Sequence, residues 1–290
     1  LLLWRVFNLQ IINGQEYLDN YTLKIEKTRD LASTRGNIYD KNGKLLAYNE
    51  LAYAITLEDN GVYNSRAERN KALNKELYRL LKVLDKNKDQ IRNDFYISYS
   101  ERDGYQYTVS GTTLKRFLAD IYDHKSTDDL KYNKTLGYNE AEATPEQVME
   151  YLSSDKRYGI SDKYSAYNRY RILVLRYAIA QNSYQKYVTT TIAKDISKDT
   201  VAVIMENKDR YPGVDVEEDS IRVYEDGLYM APLIGYTGQV SAEELEELNG
   251  ENGNGQYSSS DIVGKSGLEK YFEKELRGQN GTKTVYVDNL

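Results

Sequence analysis

The chain contains no cysteine and only one histidine, His124, in 290 residues. The first absence removes disulfides, thiol nucleophiles and thiolate metal ligands together. The second leaves an HExxH zinc site without its second ligand and gives a serine–histidine–aspartate triad little to build on. His124 itself lies in the polar run DHKSTDD, the setting of a solvated loop or helix end. Long apolar runs are also missing. The leading Leu1-Leu2-Leu3-Trp4-Arg5-Val6-Phe7 is far short of the ~20 residues that cross a bilayer. Leucines followed by Trp and Arg nonetheless have the character of the outer end of a spanning helix, because both side chains favour the interface; a buried amphipathic helix is the alternative. No basic stripe exists, since 39 Lys and Arg are interspersed with 45 Asp and Glu for a net charge of −6. That excludes an electrostatic grip on nucleic acid and offers an acidic substrate little steering field. Phenylalanine is scarce, 4 against 29 tyrosines, which suggests half-buried aromatic positions. Internal repeats are absent.

What is present is a change of pattern along the chain. Residues 1–30 read as the end of a membrane anchor and an exit helix that loosens towards Asp30. In Arg35 to Asn49, RGNIYDKNGKLLAYN, Ile38 and Leu45-Leu46 flank Asn42-Gly43, a dipeptide that tolerates positive φ at both turn positions. The pattern predicts a hairpin whose second strand continues through Ala52, Ala54 and Thr56, so that 31–60 forms the first part of a base. Residues 61–187 read as a mostly helical subdomain inserted into it. Leu73, Leu77, Leu80, Leu81 and Leu84 recur at helical spacing, as do Leu114, Phe117, Leu118 and Ile121. Thr144-Pro145-Glu146-Gln147 combines an N-cap, a proline at the first helical position and a capping-box glutamine ahead of Val148, Met149 and Leu152. A further helix is expected around 170–184. Residues 188–290 form the second part of the base: a helix at about 198–207, strands through Val214, Val216, Ile221 and Val223, a strand at 233–240, a capping box at Ser241–Glu244, and a strand at 282–287. The fold class is therefore α+β, a small twisted sheet with a helical subdomain inserted.

The chemical motifs are weaker than they look. Ser153–Lys156 and Ser183–Lys186 match the SxxK nucleophile pattern of serine acyl-enzymes, but both serines fall near the ends of predicted helices, where the dipole opposes a developing oxyanion. The companion SxN motif is absent. Lys265-Ser266-Gly267 matches the KSG of the same enzymes, yet Ser266-Gly267-Leu268-Glu269 is also a capping box, which would have Ser266 accept from the Glu269 amide while Glu269 reaches back. On that reading Leu268, Tyr271, Phe272 and Leu276 form an apolar stripe with Glu269, Glu273 and Glu275 polar around them, and Arg277-Gly278 provides a left-handed stop. Asp85–Asp89 imitates the start of a calcium loop, but Gln90 and Tyr96 stand where glycine and a bidentate glutamate belong. Asp215, Glu217, Glu218 and Asp219 read as a solvated face. No catalytic, cofactor or metal site emerges from the residues themselves.

Three segments together resemble the N-terminal, non-catalytic region of class B penicillin-binding proteins, closest to the penicillin-binding protein 2 type. Arg35-Gly36-Asn37-Ile38-Tyr39-Asp40-Lys41-Asn42-Gly43-Lys44-Leu45-Leu46-Ala47 is similar to that family's RGxIxDRNGxxLA. Ser220–Tyr224, with Arg222, followed by Ala231–Gly238, with Gly235 and Tyr236, is similar to RxYP and AHxxGYxG. Gly264-Lys265-Ser266-Gly267-Leu268-Glu269, with Glu273, Leu276, Arg277, Gly278 and Gly281, is similar to GxxGLExxxExxLRGxxG. Two departures are Glu225 in the place of the RxYP proline and Pro232 in the place of the AHxxGY histidine. The resemblance implies an elongated pedestal carrying a mobile head, held by a membrane anchor on the extracytoplasmic side of the cytoplasmic membrane. After Leu290 it implies a D,D-transpeptidase domain that cross-links peptidoglycan through an acyl-serine. It implies as partners a SEDS-family glycosyltransferase, a rod-complex scaffold protein, the protein's own transpeptidase domain and a second copy in a homodimer, with no cofactor. Arg35, Arg222 and Glu269 are the candidates for ion pairing in the base, where the hairpin and the Gly264–Gly278 segment are expected to pack together. The rival readings are a free-standing extracytoplasmic scaffold and a self-contained acyl-enzyme using Ser153 or Ser183.

Overall fold

A computed structural model describes Trp4, Phe7 and residues 24–31, 33–59, 61–182, 189–250, 257 and 261–288. The expected anchor helix and Ser183–Lys186 lie mostly or wholly outside the described residues. Its elements begin with β1 (Lys24–Leu31), β2 (Ile38–Tyr39), β3 (Leu45–Leu57), α1 (Arg66–Asn87), β4 (Ile97–Ser100), β5 (Gly104–Tyr107) and α2 (Gly111–Ile121). There follow β6 (Tyr132–Asn133), β7 (Tyr138–Asn139), α3 (Pro145–Ser153), α4 (Ala166–Asn182), β8 (Thr190–Ala193), α5 (Lys198–Glu206) and β9 (Val214–Tyr224). The last are α6 (Gly227–Ile234), β10 (Thr237–Gln239), α7 (Ala242–Asn249), β11 (Ile262–Gly264), α8 (Gly267–Tyr271), α9 (Glu273–Leu276) and β12 (Gly281–Asp288). Among the described residues no helix is long and apolar enough to cross a membrane. The chain forms two compact units, one from the residues up to Glu50 and from Arg222 onward, the other from Leu51–Ile221.

The Leu51–Ile221 unit owes its core to helical periodicity. Ser65 accepts from the Glu68 amide at 3.1 Å to open α1, and Lys88 closes it at φ 62. Between these caps Leu73, Leu77, Leu80, Leu81 and Leu84 are all buried. They share one cluster with Ile172, Leu173 and Leu175 of α4 and with Val148, Met149 and Leu152 of α3, whose Thr144–Gln147 capping box forms as expected. Phe117 of α2 meets Phe95 edge-on at 5.4 Å. Small hairpins, β4 with β5 and β6 with β7, interrupt the helices. Strands this short carry too few residues for alternation to show. His124 stands just past the end of α2, the helix-end position expected, with its side chain 25% exposed and its Nε2 2.6 Å from Oε2 of the buried Glu140.

Glu76 of α1 lines a cavity of about 440 Å³ with Asp59, Tyr63, Lys75 and Arg79, and its Oε1 has no hydrogen-bond partner. Burial pushes its pKa up to about 7; Arg79 pulls the other way and Asp59 adds to the rise. A carboxyl whose folded pKa exceeds its unfolded value stabilises below the unfolded value and loses that contribution as pH rises through the folded one. The chain should therefore lose stability between about pH 4.5 and 7. Glu76→Gln should match the parent at pH 4.5 and exceed it at pH 8 by about 1–2 kcal/mol, discounted for the open cavity, in urea titrations at the two pH values. Equal midpoints at pH 8 would sink this assignment.

The other unit is built from short strands. β2 pairs with the first half of β3, and β10 with β11, both antiparallel. β1 and β12 form an antiparallel ladder from Lys24↔Asp288 to Leu31↔Gly281. Two expectations are corrected here. Residues 24–30 are strand where loosening helix was expected, because their hydrogen-bond partners lie at the opposite end of the chain, out of reach of a local pattern. The expected sheet of the hairpin and the strands after Val214 forms in part: β9 pairs with β3, while β1–β12 and β10–β11 are separate ladders. At 233–240, Leu233 and Ile234 end helix α6, and only Thr237–Gln239 is strand.

Candidate functional site

The Arg35–Asn49 hairpin turns on Asp40 and Gly43. Asp40 Oδ1 accepts from the amides of Asn42 and Lys44, each at 2.8 Å, and these bonds, Lys44's first, hold its carboxyl below the usual range. Gly43 takes φ +82 with open space around it. Asn42 is not in the left-handed region, so the expectation of positive φ at both positions holds only for the glycine.

Before this turn the chain presents Arg35, and the Gly264–Gly278 segment closes on it. Arg35 Nε lies 2.5 Å from Glu269 Oε2, and its Nη2 lies 2.8 Å from Glu273 Oε2 and 2.9 Å from the Glu269 carbonyl. Arg222, from the end of β9, places Nε 2.9 Å from Glu269 Oε1. Glu269 is fully buried, so one carboxylate ties together three segments distant in sequence. Glu273 Oε2 also accepts the Gly264 amide at 2.8 Å. Burial alone would pull the Arg35 pKa down, but the bonds to Glu273 and Glu269 outweigh it and the net shift is upward. The expected pairing of Arg35 and Arg222 with Glu269 is what the structure contains.

Asn49 completes the cluster and was not singled out from the sequence. Its Oδ1 accepts from Arg222 at 3.4 Å and its Nδ2 donates to the Arg35 carbonyl. Its position two residues beyond the Arg35–Ala47 motif segment was the one available signal.

The helix after KSG is turned over relative to expectation. Helix α8 does begin after Ser266, but Ser266 makes no side-chain cap bond and Glu269 does not reach back. The carboxylate is drawn instead to two buried guanidinium groups, a stronger charge-assisted interaction than an amide offers. Consequently Glu269 and Glu273 face inward, while Tyr271 is 79% and Phe272 41% exposed. Lys265 pairs with Glu244 of the capping box that opens α7, and its stem lies against Gly238.

The motif glycines mark close backbone crossings. Gly235 has φ +81 and ψ −156, and a methyl there would overlap the Ser266 carbonyl. Gly267, at φ +57, lies against the Leu233–Gly235 backbone, and a methyl on Gly264 would strike the Glu269 carbonyl. The Lys265 amide donates to the Tyr236 carbonyl at 2.8 Å. Gly278 is not the expected left-handed stop, since its φ is not positive; a Cβ there would meet Ser33 at 2.7 Å. Gly36 donates its amide to the Leu276 carbonyl at 2.7 Å, and a Cβ on it would have ordinary contacts. Arg277 Nη2 lies 2.9 Å from Asp261 Oδ2, with its guanidinium 3.8 Å from the Tyr257 ring centroid. The departure at Glu225 has a structural consequence: its amide donates to the Leu46 carbonyl at 2.9 Å, a bond that a proline could not make. Pro232 lies inside α6, where it leaves one helical hydrogen bond unmade.

Ser153 is the last residue of α3, the end unsuited to a nucleophile. Among the described residues no group of three or more His, Asp or Glu side chains is placed to hold a metal ion. The arrangement is thus a buried ionic clasp that fixes backbone segments, with no reacting group within it.

A family model described as the penicillin-binding protein dimerisation domain matches residues 30–290. The peptidoglycan D,D-transpeptidase MrdA of Escherichia coli K12 is 30% identical over 104 residues, 36% of this chain and 16% of that protein. Penicillin-binding protein 2A of Bacillus subtilis 168 is 25% identical over 287 residues, 97% of this chain and 36% of that protein. Penicillin-binding protein 2B of Streptococcus pneumoniae strain 5204 superposes with a TM-score of 0.49 at 22% identity, covering 91% of this chain and 37% of that one. The chain spans about a sixth to a third of the length of the curated relatives it matches. With the match running through all three motif segments, the chain belongs to the penicillin-binding protein dimerisation-domain family.

Proposed function

We propose that this chain is the non-catalytic pedestal of a membrane-anchored D,D-transpeptidase that cross-links peptidoglycan during cell elongation, working on the extracytoplasmic side of the cytoplasmic membrane. The unit containing the Glu269 clasp is the base that positions the catalytic domain, and the Leu51–Ile221 unit is the head. The partners are the protein's own transpeptidase domain, a SEDS-family glycosyltransferase and a rod-complex scaffold protein, with a second copy as a further contact. The observation that carries this reading is the family match over residues 30–290, and the 30% identity over 104 residues to the D,D-transpeptidase MrdA supports it.

The clasp suits a base that has to keep one geometry. An ion-paired carboxylate with several hydrogen bonds holds its partners in one geometry, where apolar contacts alone tolerate sliding. In the full-length parent, Arg222→Ala should leave covalent labelling by a fluorescent penicillin intact while cells lose rod shape and peptidoglycan cross-linking falls. The 290-residue chain alone should take no label. Labelling of that chain that disappears with Ser153→Ala or Ser183→Ala would establish the acyl-enzyme reading instead.

A further inference from the structure

A cavity of about 600 Å³ within the Leu51–Ile221 unit is lined by six cationic side chains and by Asp120 and Asp123. Two of the cations are paired, Arg69 with Asp59 and Arg157 with Asp123. The other four, Arg66, Lys125, Lys156 and Arg176, form no ion pair among the described residues, although Arg66 donates to the Lys156 carbonyl at 3.0 Å. In a chain of net charge −6 this is a local excess of the opposite sign.

Arg176 is only 2% exposed, and a buried arginine ordinarily has an anionic partner. Here amide oxygens stand in that place: Asn74 Oδ1 accepts at 2.8 Å and Asn70 Oδ1 at 2.6 Å, and the Tyr158 ring lies 5.2 Å beneath the guanidinium. The same two asparagines donate to the carbonyls of Arg157, Tyr158 and Gly159, each at 2.9 Å, so the wall of the cavity is braced by hydrogen bonds on both sides. Neutral acceptors orient the guanidinium without cancelling its charge. Burial first, then Arg69, pulls the Arg176 pKa down to about 10 against the weaker upward pull of Tyr158 and Asp59.

We propose that this cavity binds a phosphate-bearing ligand, held by Arg176 at its inner end and by the exposed Arg66 and Lys156 at its mouth. A phosphomonoester carries close to two negative charges at neutral pH and several acceptor oxygens, which suits a group of cations without ion pairs better than a single carboxylate does. Arginine in particular presents its donors in a fork that fits phosphate oxygens. The site is separate from the Glu269 clasp, and the proposal does not depend on the pedestal reading.

Isothermal titration of the 290-residue chain with inorganic phosphate, glucose 1-phosphate and malonate tests it. The two phosphates should bind with Kd of roughly millimolar or tighter, and more weakly as NaCl rises, because mouth charges are screened over ~8 Å at physiological ionic strength. Malonate should bind at least about tenfold more weakly. Arg66→Ala with Lys156→Ala, both exposed positions, should weaken phosphate binding about tenfold or more, with only the small fall in ligand-free melting temperature that loss of the exposed Arg66 bond to the Lys156 carbonyl brings. Arg176→Lys, which keeps the charge but loses the fork, should also weaken it. Glucose 1-phosphate tighter than inorganic phosphate identifies the ligand as an ester, and equal affinities identify the free ion; both support the site. No binding of either phosphate, malonate binding as tightly, or affinity unchanged in the double variant would overturn it.

Discussion

Glu269→Ala should destabilise the clasp unit by about 3–5 kcal/mol, the cost of leaving a buried charge without its partner. Here one substitution leaves two such charges, because Arg35 and Arg222 are respectively 10% and 7% exposed and both bind the same carboxylate. Glu273 remains for Arg35, but among the described residues Arg222 keeps only the long contact to Asn49. Hydrogen exchange is the suitable readout, since two units need not unfold together. Protection should fall for the amides of Gly36, Gly264 and Leu276, which the clasp region holds, and should stay unchanged at the α1 leucines. Arg35→Ala combined with Glu269→Ala should cost less than the two single changes summed, because the pair is coupled. A loss below about 1 kcal/mol, or additive effects, would mean that the clasp is a surface-like pair contributing little.

Gly235→Ala should be nearly as damaging, at about 3–4 kcal/mol, whereas Gly43→Ala should cost about 1 kcal/mol. Both glycines have φ close to +80. The difference is the surroundings: nothing lies within 4 Å of a methyl on Gly43, while one on Gly235 runs into the Ser266 backbone, which cannot swing away as a side chain can. Gly235 also has ψ −156, a combination open to little but glycine. Thermal melts of the two variants give the comparison, and equal shifts in melting temperature would refute the close-crossing account of the KSG segment.

Much of the helical unit was legible in the sequence, because helix signals are local. Five leucines at helical spacing mark the face that α1 buries, and a Thr-Pro-Glu-Gln capping box specifies where α3 begins. The hairpin at Asp40–Gly43 was legible for the same reason: its bonds join residues four apart or fewer. The β1–β12 ladder was not legible, since Lys24 and Asp288 meet only when the rest of the chain has folded.

The clasp shows the division most sharply. By itself the sequence determined that Ser266 begins a helix and that Arg35, Arg222 and Glu269 recur in a family pattern. It also suggested, from spacing alone, that Glu269 and Glu273 belong on the wet face and Tyr271 and Phe272 on the dry one. Only the tertiary structure reversed this. Two guanidinium groups arriving from positions 35 and 222 offer the carboxylates charge-assisted bonds that local capping cannot match, and burying those charges unpaired would cost more than exposing two aromatic rings. Local patterns report the preferences of a segment taken alone; which face it finally buries depends on the charges that the rest of the chain brings to it.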